Sequence, residues 1–198
     1  TVEQRLTTAL DIQKAPKEAV FKAYDVFQKA NIQRSGTGFT GAPILTPDEL
    51  DRSKGEISWN DLETMLSGFA YDAYYNHSET SCQNYFTVWD FAINQGFSFG
   101  SGMGTNHHYG YQVRKIYTTA WLMRDAIWKT PNRDNILSTL IFWSALQETR
   151  QPYQYGRDEL LDSWHTLLMA KTVSALLFTD ERERVRALKG LSRWVSSS

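Results

Sequence analysis

"SWNDLETMLSGFAYDAYYN", residues 58–76, decides the fold. Leu62, Met65, Leu66, Phe69 and Ala73 recur at steps of three and four, so they line one face of an α-helix. Ser58 stands just ahead of them, where a hydroxyl can accept one of the backbone N–H groups that a helix start leaves unpaired. Nothing in the stretch alternates with the period of two that a half-buried strand requires.

Working outward, the same period continues. Thr1 to about Gln33 reads as helical, with a break or start near Pro16. Within it, "EAVFKAYDVFQKANI" offers Val20, Phe21, Tyr24, Phe27 and Ile32 as an apolar face. Residues 34–56 are rich in Gly, Pro, Thr and Ser and form a first irregular stretch. Inside it "TPDEL" is a short helix start, with Thr46 as cap, Pro47 at the first helical position and Glu49 three residues after the cap. "NYFTVWDFAINQGF" is helical again, and Gly96 suits the left-handed position that ends a helix. Residues 97–109 make a second, glycine-rich irregular stretch. Four helical segments follow: Tyr111–Lys129, Thr130 to about Gln151, Asp158–Phe178, and Thr179 or Asp180 to about Val195. Short connections make successive helices antiparallel hairpins. The class is all-α. A ladder of hairpins with loops on one rim fits an α/α toroid or a bundle, and spacing does not separate the two.

Bulk composition narrows the function. A formal net charge of −1 gives no drive toward nucleic acid. No apolar run approaches the ~18–20 residues of a membrane span. The single cysteine, Cys82, excludes an internal disulfide framework and a multi-cysteine zinc site. Aromatic residues reach 14%, with seven Trp and ten Tyr. Most serve as core filler, and some suit a wet groove that holds flat, weakly polar ligands such as sugars. Thr1 in place of an initiator Met, and no signal peptide, lead to the expectation that the numbering starts at a cut.

Three motifs bear on chemistry. "GTGFTG", residues 36–41, spells G-x-G-x-x-G. A dinucleotide site needs that run to leave a strand and open a helix, whereas a helical segment precedes it here and Pro43 and Pro47 follow. It reads as a loop, either plain or shaping a substrate groove. Asn76-His77-Ser78 matches a glycosylation sequon, a triplet common by chance, and His165 beside Trp164 reads as a hydrogen-bonded structural histidine. "NHHYGY", residues 106–111, sits where the glycine-rich loop meets a helix start, whose free N–H groups and dipole favour anions. Asn106, His107, His108, Tyr109, Tyr111 and, two turns on, Arg114 supply donors and aromatic faces that could hold a carboxylate or sulfate. An exposed polar loop is the other reading of the same residues. Zinc is disfavoured because no third ligand is near, and a serine triad because no G-x-S-x-G elbow is present.

The stretch "NQGFSFGSGMGTNHHYGYQVRKIYTTAWLMRDAI", residues 94–127, resembles the His-His region of bacterial chondroitin sulfate ABC lyases. In that family a helix ending in "QGF" is followed by a loop of small residues, then Thr-x-His-His or Thr-His-His, an aromatic, Gly-Tyr, and an Arg ahead of a long helix. Here those places are taken by Thr105, His107, His108, Tyr109, Gly110, Tyr111 and Arg114. "NIQRSGTGFTGAPILT", residues 31–46, resembles the family's Gly-Thr-x-Gly loop, and the likeness runs over roughly 31–195. The resemblance implies an α/α toroid, and a polysaccharide lyase that cleaves chondroitin and dermatan sulfate by β-elimination at a uronic acid.

That reaction needs a base for a barely acidic C5–H, an acid for the departing oxygen, and neutralisation of the adjacent carboxylate. The resemblance assigns His108 first and His107 second to this work, since an imidazole with pKa near ~6.5 can neutralise or accept a proton near neutral pH. It gives Tyr109 a sugar-stacking role and Arg114 a carboxylate or sulfate, with Asn106 and Tyr111 beside them. It further implies export to the periplasm or beyond, a sulfated glycosaminoglycan and the remaining domains of a parent lyase as partners, and a Ca or Mg ion for which no ligand cluster shows in the sequence. No segment matches the family's principal His-Tyr loop. The 198 residues are therefore expected to form one helical domain, the first part of a larger toroid and inactive alone. A non-catalytic glycan-binding helical module is the alternative, and a helical scaffold with incidental histidines a third.

Overall fold

The structure, a computed structural model, describes residues 4, 17–42, 57–96, 109–148, 177, 185 and 189. It is mostly helical: α1 (Lys17–Ala30), a hairpin of β1 (Gln33–Ser35) and β2 (Gly38–Thr40), α2 (Trp59–Tyr75), α3 (Glu79–Asn94), α4 (Tyr109–Leu122), the short α5 (Arg124–Ile127), and α6 (Arg133–Glu148). The all-α class holds, with one small antiparallel ribbon added. The chain divides into two compact units, Thr1–Gln95 and Gly96–Ser198. The short helix expected at "TPDEL", the one at Asp158–Phe178, the last helix and His165 lie outside the described residues, apart from Leu177, Val185 and Lys189, each helical.

In the first unit, α2 is the centre. Ser58 caps it through a reciprocal box: the Asp61 N–H donates to Ser58 Oγ at 3.2 Å, and the Ser58 N–H donates to Asp61 Oδ2 at 2.7 Å. Leu62, Met65, Leu66 and Phe69 are fully buried. Only three residues separate α2 from α3, and the two helices pack together as a helical hairpin. The sequon falls on this turn. Asn76 caps α2 and donates through Nδ2 to Asp72 Oδ1 at 2.7 Å, His77 takes φ 54°, and Ser78 caps α3 by accepting from the Ser81 N–H. The Asp72 carboxylate also accepts from Ser81 Oγ at 2.5 Å, and Ser81 Oγ shares a 2.7 Å hydrogen bond with the Tyr24 hydroxyl. Burial works to raise the Asp72 pKa, but hydrogen bonds from Asn76, Ser81 and Ser78 outweigh it and hold the carboxyl below its ordinary value.

Ile32, just past α1, is buried as expected, but the packed face of α1 departs from the expected one at Phe21. Phe21 is 74% exposed, and the fully buried positions are Ala23 and Ala30. The cause is Gly68 in the middle of α2. A Cβ there would stand 2.5 Å from the Ala19 carbonyl oxygen and against Ala23 Cβ, so the two helices cross with almost no side chain between them. So close a crossing selects alanine, and the large rings sit beside it: Tyr24 and Phe27 meet Phe69 edge-on at 5.0 and 5.3 Å between centroids.

In the second unit, α4 begins two residues earlier than expected and stops at Leu122. The chain turns at Met123 before α5, so the single helix Tyr111–Lys129 is in fact two. The next helix opens at Arg133 rather than Thr130, with the Ile136 N–H bonded to the Asn132 carbonyl. Ile116, Tyr117, Ala120, Trp121, Ile136 and Leu140 are buried, and the Tyr117 hydroxyl donates to the Leu140 carbonyl at 2.5 Å, tying α4 to α6.

Candidate functional site

Of the residues singled out from the sequence, Asn106, His107 and His108 lie outside the described residues. Tyr109, Tyr111 and Arg114 fall on the first two turns of α4, which starts directly after His108. The helix geometry of about 100° per residue puts positions 111 and 114 on neighbouring places of one face. Position 109 is about 200° around from 111, so the backbone of α4 does not bring the two tyrosines to one face.

"GTGFTG" proves to be a β-hairpin with well-defined anchors. The register pairs Gln33 with Thr40, Arg34 with Phe39 and Ser35 with Gly38, leaving Gly36-Thr37 as a two-residue turn. Gly36 takes φ 59° while Thr37 stays at negative φ, the pattern of a type II′ turn with Gly first. A strand–turn–strand, not a strand–turn–helix, occupies the run, so the phosphate-cradling geometry is absent from it. The base of the hairpin is fastened at both sides. Asn31, at φ 48°, turns the chain out of α1, and the Ala42 N–H returns to the Ala30 carbonyl at 2.8 Å.

The hairpin rests on the C-terminal end of α3. Gly41 lies so close that a Cβ would meet the Phe91 ring at 3.0 Å and the Ala30 carbonyl oxygen at 3.1 Å. Gly38 faces Asn94, whose Nδ2 would be 3.6 Å from a Cβ. Asn94 ends α3, and Gly96, two residues on, takes φ 97°, the left-handed stop expected of it. From there the chain enters the stretch that carries His107 and His108. The structure thus sets the β1–β2 hairpin against the C-terminal end of α3, a neighbourhood that spacing along the chain does not show.

Sequence reasoning passed over Arg34, Phe39 and Asn94. Arg34 is exposed, and its guanidinium carbon lies 5.5 Å from the Phe39 ring centroid, the two being directly cross-strand. The available signal was the Gly-X pair at 36–37 between residues able to pair, a hairpin signature outranked by the absence of any long alternating run.

Among the described residues, Cys82 and Tyr85 are chemically quiet. Burial, with help from the Glu79 charge, pushes the Cys82 thiol up, so it stays protonated and weakly nucleophilic near neutral pH. Burial likewise pushes the fully buried Tyr85 hydroxyl far up, against a weaker opposing effect of Trp89. Among the described residues no three His, Cys, Asp or Glu side chains come together as metal ligands. Among the described residues, too, no helix is long and apolar enough to cross a membrane.

A family model described as "Lyase, catalytic" matches residues 1–198. The chain is similar to the chondroitin sulfate ABC exolyase of Bacteroides thetaiotaomicron, 26% identical over 196 residues, which cover 90% of this chain and 19% of that protein. It is also similar to the chondroitin sulfate ABC endolyase of Proteus vulgaris, 26% identical over 117 residues, covering 59% of this chain and 12% of that protein. The chain therefore spans less than a fifth of the length of either relative.

Proposed function

Because the chain belongs to the "Lyase, catalytic" family, we propose that it is part of the helical catalytic domain, an α/α toroid, of a polysaccharide lyase. In this reading the parent protein cleaves chondroitin and dermatan sulfate by β-elimination at uronic acid. The observation that carries it is the family match over all 198 residues together with two relatives that are both chondroitin sulfate ABC lyases. Tyr109, Tyr111 and Arg114, on the first two turns of α4, are the part of the candidate site that the described residues include.

The chemistry sets the roles. Removing the C5 proton leaves charge beside an existing carboxylate, so the site must hold that carboxylate with donors or cations before the proton moves. His108 neutralises the carboxylate or takes the proton of one uronate epimer, and His107 shapes the loop and is the second choice. Arg114 pairs with a carboxylate or sulfate, Tyr109 stacks on a ring, and Asn106 and Tyr111 donate hydrogen bonds. The same reading takes the protein to the periplasm or outside the cell, where such polymers occur, and cell fractionation tests that.

The deciding experiment measures the unsaturated uronate released by the full-length protein from chondroitin sulfate and from dermatan sulfate. His108→Ala is expected to lower turnover by roughly 100-fold or more, the scale of one lost acid–base or charge-stabilising group. Its effect should be larger on the iduronate-containing polymer. Full activity of both His108→Ala and His107→Ala on both polymers would refute the site.

A further inference from the structure

We propose that Arg34, held by Phe39 across the β1–β2 hairpin, recognises an oxyanion, sulfate or carboxylate, on the glycan chain, as a binding residue additional to "NHHYGY". This rests on the lyase reading above.

Four observations carry it. The first is that Arg34 is unused. Among the described arginines with placed side chains, Arg124 donates to the Trp121 carbonyl at 2.9 Å and Arg133 pairs with Asp134 at 2.8 Å, whereas Arg34 is exposed and no described acid pairs with it. The second is that it is oriented. Stacking on Phe39 restricts a side chain that would otherwise sample many rotamers, yet leaves the guanidinium fork able to donate two parallel hydrogen bonds. The third is that its support is stiff. The Gly36 turn, the Thr40 hydroxyl on the Gln33 carbonyl at 3.5 Å, the Ala42–Ala30 hydrogen bond and the Gly41 contact with Phe91 hold the hairpin at both ends. The fourth is charge. With a net charge of −1 the chain has no overall attraction for a polyanion, so binding depends on local cations such as Arg34. Phe39, half-buried beside the guanidinium, adds an apolar surface for the C–H face of a sugar ring.

The test uses the full-length protein with Arg34→Ala, and with Arg34→Gln as a second variant that keeps most of the stem and removes the charge. kcat and KM are measured on chondroitin sulfate and on chemically desulfated chondroitin, alongside the thermal midpoint. The expected result is a KM raised about tenfold on chondroitin sulfate, with kcat within about twofold and the midpoint unchanged, as fits the loss of a ground-state contact. A purely structural role would move the midpoint and kcat instead. A defect confined to the sulfated polymer assigns the contact to sulfate, and an equal defect on both assigns it to the uronate carboxylate. Wild-type KM on both polymers in either folded variant overturns the proposal while the lyase reading stands. A wild-type protein that neither binds nor cleaves either polymer overturns both.

Discussion

Replacing Gly68 by alanine pits two opposed effects against each other, and the structure decides between them. In an exposed helix the change would stabilise, because alanine is about 1 kcal/mol better than glycine in a helix interior. Gly68 is buried, and the new Cβ would stand 2.5 Å from the Ala19 carbonyl oxygen, with Ala23 Cβ also in its way. That is about 1 Å short of the ~3.5 Å at which nonbonded atoms rest. Both obstacles belong to the body of α1, so no rotamer relieves them and α1 must move. Its movement loosens Tyr24 and Phe27 against Phe69. Overpacking of this kind costs about 1–3 kcal/mol, and contact with backbone argues for the upper end. Set against the propensity gain, the net loss is about 2 kcal/mol. Urea unfolding, read together with amide exchange in α1 and α2, measures it. A Gly68→Ala protein as stable as wild type, or more so, would refute the close crossing. Adding Ala23→Gly should recover only part of the loss, since the Ala19 oxygen remains.

Three further outcomes are expected. Ser58→Ala removes the capping box of α2 and should cost about 1 kcal/mol of unfolding free energy, with faster exchange confined to the first turn of that helix. Asp72→Asn removes a carboxylate whose folded pKa lies below its ordinary value of 3.8, so the stabilisation is present above that value and is lost as pH falls through the folded pKa. The variant should be less stable than wild type at neutral pH and converge on it in acid titrations below pH 3.8; a pH-independent difference would contradict this. Gly96→Ala, at φ 97°, should cost about 1 kcal/mol by forcing a side chain into the left-handed region, and thermal denaturation reads it.

Local signals were enough for much of the fold. The stripe Leu62, Met65, Leu66 and Phe69, the cap at Ser58 and the stop at Gly96 all depend on residues within a turn or two of one another, and each stands where the sequence puts it. The family likeness was likewise legible, because "NHHYGY" and its neighbours are contiguous in the chain. What the sequence missed depends on distant partners. Phe21 looked like core, but Gly68, 47 residues later, draws α1 so close that the alanines are buried and Phe21 is left outside. The hairpin is too short to announce itself by alternation, and it persists because Phe91, Ala30 and Asn94 hold it from other elements. Arg34 became a candidate only once Phe39 was seen opposite it in the register. Periodicity and caps are local and can be read along the chain. Which face is buried, and which charge is left without a partner, follows from how closely two backbones approach, and only the tertiary structure sets that distance.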